Sequence, residues 1–431
     1  MLSSVDLINR FPKNIGLGLR PAYWDLLKKL GNPQDKLPPV FHVAGTNGKG
    51  STCAFLRSIL EAAGYDVHVY TSPHLVDYTE RIRLTGQLIE EKYFAELLAR
   101  CETLSVPGEI TVFEALTAAA LTAFAETPAD FTILEVGLGG RLDATNVVYH
   151  PLASIITRLS YDHRQHLGNT LDAIAREKAG IMRPHIPCFT VAQPDDEVLA
   201  ALRDVAQEKQ SPLSIGGIDW RVTPRENGFH FLDATRAFDL PAPALLGAHQ
   251  YENAGLAIAA LSVLKNKISE THSAYGLLNV EWPARLQKLI SGSLADLLPT
   301  GWGLWLDGGH NDSAGQVLAQ QAAAWKQKDG PRPRPLFLIC GMLTTKNVQE
   351  FLSPLAPFVT EMRTIAIPEE GLSFSASALA AEAKNASFTN VLAAESITEA
   401  IQSLVSLQAP SARILICGSL YLAGKVLSEN K

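Results

Sequence analysis

A chain of 431 residues is longer than one hydrophobic core usually serves, so two domains are the first expectation. With 47% hydrophobic and 19% charged residues it has the make-up of a globular protein, which excludes a disordered or fibrous chain. A formal net charge of -7, with acids and bases interleaved, offers no basic field to a nucleic acid, and five scattered cysteines with no C-x-x-C spacing favour neither a disulfide framework nor a zinc site.

The first twenty residues mix Asp6, Asn9, Arg10 and Lys13 among apolar ones and lack the continuous apolar stretch of a secretory signal. Residues 39–45 read as a buried strand leading into a glycine-rich turn, and helical spacing follows over 51–64. A strand is predicted over 66–70, helices over 92–101 and 113–126, and a buried strand over 131–136. The alanine-rich run at 114–125 is too short to cross a bilayer, so no membrane is expected, and a reducing cytoplasm is. A strand over 153–156 and a helix over 170–180 come next, then short alternating stretches over 212–240 that read as hairpins. A strongly apolar helix runs over 251–264, and a polar segment follows it. Near residue 280 an α/β rhythm restarts, with strands at 303–306, 336–340, 363–367 and 413–417. Alternating strands and helices predict parallel sheets covered on both faces, with ligands at the carboxyl ends of the strands.

The turn after the first strand carries Gly45, Thr46, Asn47, Gly48, Lys49, Gly50 and Ser51. Glycines that let backbone N–H groups converge, a lysine, and a following helix whose N-terminus favours anions are what phosphate binding needs. The alternative is a plain glycine-rich turn with a solvated lysine. The common phosphate-loop pattern is also broken twice: Val43 stands where its first glycine belongs, and Gly50 where its magnesium-binding hydroxyl belongs. That hydroxyl must come from Ser51 or from another loop, such as Ser72. Glu135 ends a buried strand, where a carboxylate is costly unless a cation or the backbone amides of 137–140 satisfy it.

The loop G-T-N-G-K-G-S is followed by T-S-P-H-L at 71–75, E-R-I at 80–82, and E-V-G-L-G-G-R-L-D-A-T-N at 135–146. Next come D-H at 162–163 with L-G at 167–168, E-K-A-G-I at 177–181, and G-A-H-Q at 247–250 with N-A at 253–254. W-P at 282–283 with R-L-Q at 285–287, D-G-G-H-N at 307–311, and G-S-L-Y-L-A-G at 418–424 complete the series. In this order the motifs resemble the folylpolyglutamate synthase/dihydrofolate synthase family, bifunctional bacterial type, of the Mur-ligase superfamily. The resemblance implies an α/β fold: a P-loop-type ATP-binding domain with a parallel central sheet over residues 1–280, and a smaller Rossmann-like domain over 281–431.

It also implies roles. ATP would be held by Thr46, Asn47, Gly48, Lys49, Gly50, Ser51, Asn253, Arg285, Asp307 and His310. Magnesium, at two sites, would be held by Ser72, Glu135, His163 and Lys178, the lysine carrying a CO2-derived carbamate. The pteridine-bearing acid would meet Gly18, Leu19, Arg20, Thr111, Val112, Phe113, Glu114, Asp143 and Ala144, with Phe113 either stacking on a flat ring or packing in the core. Lys49, Lys178 and His163 would be catalytic, and ATP would sit between the domains, whose closure excludes water.

The chemistry so implied joins L-glutamate to dihydropteroate and to folates: ATP phosphorylates a carboxylate, and the amino group of glutamate attacks the acyl phosphate. The partners are then small molecules, with no nucleic acid and no membrane, and a monomer is expected. Three alternatives remain: a folylpolyglutamate synthase of one activity, another Mur-type amide ligase, or a P-loop ATPase switch. Ala284 and Gly309 depart from the glycine and alanine that the family commonly has there.

Overall fold

A computed structural model describes residues 2–13, 18–265 and 267–431. The chain forms two compact units: one takes the residues up to Ala244 with Gln250–Glu281, the other Leu245–His249 with Trp282–Lys431. Among the described residues no helix is long and apolar enough to cross a membrane.

The first unit is built on an eight-stranded sheet of β1 (Val40–Ala44), β2 (Val67–Tyr70), β3 (Ile82–Leu84), β4 (Gln87–Leu88), β5 (Phe131–Glu135), β6 (Ala153–Ile156), β7 (Cys188–Thr190) and β8 (Leu213–Ile215), in the order β4-β3-β2-β5-β1-β6-β7-β8. The strands β1, β2, β5 and β6 are buried along their whole length, as expected of parallel strands covered on both faces. Parallel pairing fails at one margin, where β2–β3 and β3–β4 are antiparallel. Only a tight turn at Thr85 and Gly86 links β3 to β4, too short for a helical crossover.

Two other expectations need correcting. Leu213–Ile215 is not part of a hairpin: it pairs in parallel with β7 as the far edge of the main sheet, and only β9 (Arg221–Arg225), β10 (Gly228–Leu232) and β11 (Ala237–Pro241) form an antiparallel meander. The segment after residue 264, polar by composition, holds helix Glu270–Asn279, opened by a Ser269–His272 capping box. Its Gly276 lies so close to helix Lys49–Ala62 that a Cβ would fall 2.7 Å from the Ile59 Cα. The apolar helix before it spans Ala248–Ala260 and tightens to a 3-10 turn over Leu261–Leu264.

The second unit has six strands, β12 (Gln287–Leu289), β13 (Gly303–Leu306), β14 (Leu336–Cys340), β15 (Val359–Thr364), β16 (Val391–Ala393) and β17 (Arg413–Cys417), in the order β12-β13-β17-β14-β15-β16. All pair in parallel except β12 with β13. The strand expected over 363–367 runs instead over Val359–Thr364, its first half being only partly buried and so lacking an apolar run. Leu338, Leu415, Met342 and Phe351 centre the core.

Candidate active site

Three neighbouring strands of the first unit, β2, β5 and β1, end at one edge of the sheet. Val43 of β1 is level with Glu135 of β5, and Tyr70 of β2 with Leu134. The phosphate loop, Glu135 and Ser72 therefore leave the sheet side by side, at the carboxyl edge where open α/β sheets take ligands.

Not every amide of the loop is available to a phosphate. The N–H groups of Thr46 and Asn47 both donate to the Arg158 carbonyl at 3.1 Å, and the Thr46 hydroxyl donates to the Ser160 carbonyl at 3.1 Å. The amides left for an anion belong to the first turn of helix Lys49–Ala62, where Lys49, Gly50 and Ser51 have no intrahelical acceptor. Gly48 makes the turn into that helix with φ +89°, and a Cβ there would lie 2.5 Å from the Asn253 Oδ1. Asn253 thus lies on the loop, held by donation from its Nδ2 to the Gln250 Oε1 at 3.0 Å. The Gln250 amide in turn reaches the Ser51 hydroxyl at 3.4 Å.

Lys49 Nζ donates to the carbonyls of Gly45 (3.1 Å) and Thr46 (3.3 Å). Lys178, from helix Leu171–Ala179, is buried and donates to the same Gly45 carbonyl at 2.9 Å. Burial first, and then repulsion from Lys49, pull its amine down to about 7, against the attraction of Asp162 and Asp143. An amine lowered to about 7 has a substantial neutral, nucleophilic fraction near pH 7, as carbamate formation requires.

Glu135 is buried and its Oε2 accepts the Ser72 N–H at 3.2 Å. Among the described residues the Ser72 hydroxyl, also buried, has no hydrogen-bond partner, as a donor left for something other than protein would. Ser51, the other candidate hydroxyl, already accepts from Gln250. His163 is exposed, with a left-handed backbone (φ +48°) and Nε2 3.6 Å from the Asp162 carboxylate. Among the described residues no three His, Cys, Asp or Glu side chains form a metal-holding group, so a cation here needs donors of other kinds, such as the Ser72 hydroxyl. The Glu135 carboxylate and the Ser72 hydroxyl are hard oxygen donors, the kind a divalent cation takes.

The stretch expected to meet the acid substrate is tied together by its own bonds. Thr111 and Glu114 form a capping box at the start of helix Val112–Glu126, and Arg20 donates to the same Glu114 Oε2 that the Thr111 N–H and hydroxyl reach at 2.8 Å. The Glu114 carboxylate therefore orients Arg20. Phe113 is half-buried, its ring so close to Gly137 that a Cβ there would fall 2.3 Å from the ring tip. The ring packs and also lies beside the exit of β5. Gly18 and Leu19 lead into helix Pro21–Lys29, whose Tyr23 hydroxyl donates to the Ala144 carbonyl at 3.1 Å. Asp143 is buried; burial raises its carboxyl while donors from Thr145 and Leu138 pull it back.

In the second unit Arg285, Asp307 and His310 come together. Asp307 accepts the N–H groups of Leu286 (2.9 Å) and Gly309 (2.7 Å); burial raises its carboxyl and Arg285 opposes this. Ala284 and Leu286, on either side of Arg285, both take left-handed backbone (φ +55° and +45°), the conformation in which a glycine at 284 would be unstrained. His310 Nδ1 lies 2.9 Å from the Gly308 carbonyl, which can only accept, so the ring proton is on Nδ1.

The sequence alone pointed to no role for Gln250, Arg158, Asp162 or Thr157, whose buried hydroxyl lies against Gly45 and has no partner among the described residues. Gln250 and Asp162 stood inside the quoted motifs. Nothing in the spacing singled out Arg158, which acts on the loop through its carbonyl, or Thr157.

Residues 43–261 match the Mur ligase middle domain, and residues 296–429 the C-terminal domain of dihydrofolate synthetase. The chain is 35% identical over 422 residues to the dihydrofolate synthase/folylpolyglutamate synthase of Escherichia coli, covering 98% of this chain and 93% of that protein. Among solved structures, E. coli FolC in complex with DHPP and ADP superposes with a TM-score of 0.86 at 32% identity, over 99% of this chain and 96% of the other. A bifunctional folylpolyglutamate synthase/dihydrofolate synthase with Mn, AMPPNP and L-glutamate bound gives 0.81 at 31% identity, over 98% and 96%.

Proposed function

Because this chain belongs to the dihydrofolate synthase/folylpolyglutamate synthase family, we propose that it is an ATP-dependent ligase joining L-glutamate to dihydropteroate and to folate polyglutamate chains. The observation that carries this reading is the convergence of Lys49 and the buried Lys178 on one carbonyl of the phosphate loop, beside Glu135 and a Ser72 hydroxyl that meets no partner among the described residues. ATP and a divalent cation are supported by the relatives holding AMPPNP and Mn. When bound, the cation neutralises phosphate charge and polarises the reacting oxygens. Ser72, Glu135 and His163 are the residues proposed to hold it, and Lys178, as its carbamate, a second one.

The acceptor carboxylate attacks the γ-phosphate, releasing ADP and leaving an acyl phosphate; the glutamate amine then displaces phosphate to form the amide. Lys49 exchanges its two carbonyl partners for phosphate oxygens, and the first-turn amides of helix Lys49–Ala62 orient that phosphate. Arg20 faces the acceptor, aimed by Glu114. Asn253 holds the loop against the nucleotide, and Arg285, Asp307 and His310 are proposed nucleotide contacts. We further propose a first domain ending near residue 280, a monomer, small-molecule partners only, and a cytoplasmic location.

The test is phosphate release and product mass with ATP, magnesium and L-glutamate, adding dihydropteroate or tetrahydrofolate separately. Amides from both acceptors support the two activities, and one active acceptor reduces the proposal to a single synthase. ATP turnover independent of acceptor, without amide, overturns it in favour of a switch.

A further inference from the structure

His42 stands in the middle of β1, fully buried, with Nε2 2.9 Å from the Thr145 hydroxyl. That hydroxyl lies 2.6 Å from Asp143 Oδ1, which also accepts the Thr145 N–H at 2.9 Å, while Oδ2 accepts the Leu138 N–H at 2.9 Å. The order of protons follows. A carboxylate only accepts, so the Thr145 hydroxyl donates to Asp143, and its lone pair takes the Nε2–H of His42. Burial, reinforced by the charge of Arg183, keeps the imidazole neutral, pulling it down to about 3. Nδ1 is then an acceptor, buried with no partner among the described residues.

A buried unpaired nitrogen costs free energy, and an apolar β-branched residue would fill a central strand more cheaply. Stability of the core therefore does not explain His42. What the residue reaches is the segment 137–146, which leaves β5 just past Glu135 and carries Asp143 and Ala144. On its other side this segment is braced on the helix of Lys178: the Arg141 N–H donates to the Glu177 carbonyl at 2.8 Å, and a Cβ on Gly140 would fall 2.8 Å from that same carbonyl.

We infer that His42 is a positioning residue that acts through Thr145 on Asp143 to hold segment 137–146 in the shape that receives the acceptor acid. The inference rests on the ligase reading, and the acceptor it concerns is a pteroate- or folate-type acid. His42 touches no reacting atom.

The test is steady-state kinetics of the full chain with ATP, magnesium, L-glutamate and dihydropteroate, with thermal melts alongside. His42→Leu and Thr145→Val, each of which breaks the relay, should raise KM for dihydropteroate about tenfold while leaving KM for ATP within about twofold. His42→Gln, which keeps a donor near the Nε2 position, and Thr145→Ser should restore most of the loss. Should His42→Leu fail to fold, the near-isosteric Thr145→Val decides. Unchanged KM for dihydropteroate in Thr145→Val, or KM for ATP rising in step with it, overturns the inference while the ligase reading stands. A wild-type chain that forms no amide overturns both.

Discussion

Lys49 and Lys178, 129 positions apart in the chain, donate to one acceptor: their Nζ atoms lie 3.1 and 2.9 Å from the carbonyl oxygen of Gly45. Two ammonium groups on a single neutral oxygen repel each other, and the more buried one yields its proton more readily.

Burial of Lys178, reinforced by that repulsion, has a definite sign in pH. The Lys178 amine is lowered from 10.5 to about 7 on folding, so between those values the unfolded chain holds a proton that the folded chain does not. Stability should rise with pH across that window, and the burial penalty is fully present below about 7. Lys178→Met should therefore gain stability over wild type at pH 6 and lose that advantage toward pH 10, as read from urea midpoints at each pH. The same variant should lose about a hundredfold or more in amide formation. If the amine carries CO2 as proposed, wild-type activity lost on lowering the pH from 8 to 6.5 should be partly restored by bicarbonate.

Ser72→Ala removes a hydroxyl that bonds to none of the described residues. Thermal stability should stay within about 0.5 kcal/mol of wild type, as for a substitution that breaks no contact. The magnesium concentration giving half-maximal activity should rise about tenfold or more. An unchanged magnesium titration would remove Ser72 from the cation site.

Gly48→Ala places a Cβ 2.5 Å from the Asn253 Oδ1 and forces an L-residue into left-handed backbone, itself worth roughly 1–2 kcal/mol. The loop must shift, and ADP affinity by calorimetry should fall at least about tenfold. Gly64→Ala is the control: its φ is +84° but nothing lies within 4 Å of a Cβ there, so it should cost stability without weakening ADP.

Asp307→Asn turns one of two acceptor oxygens into a donor facing a backbone N–H, of Leu286 or of Gly309. Leaving one such buried amide unpaired costs about 1–3 kcal/mol. The melting temperature should drop accordingly, and Asp307→Ala should lower it further. An Asn variant as stable as wild type would show that the two amides find other partners.

The sequence alone determined the frame of this protein. Apolar runs located β1, β5 and β14 to within a residue or so at each end, because a strand buried on both faces must be apolar along its length. The order of motifs named the family, and the apolar patterns put Glu135 at the end of a strand and Lys178 on a helix, while the helix expected from residue 51 already begins at Lys49. It did not reveal that Leu213–Ile215 joins the main sheet, since a three-residue edge strand leaves no period to read. Nor did it show that Glu114 holds Arg20, that the amides of Thr46 and Asn47 are spent on Arg158, or that His42 is bound to Thr145. Periodicity and spacing report on neighbours along the chain. Which donor meets which acceptor a hundred residues away, and how far burial shifts a lysine, is set by desolvation in the packed interior, and only the tertiary structure decides it.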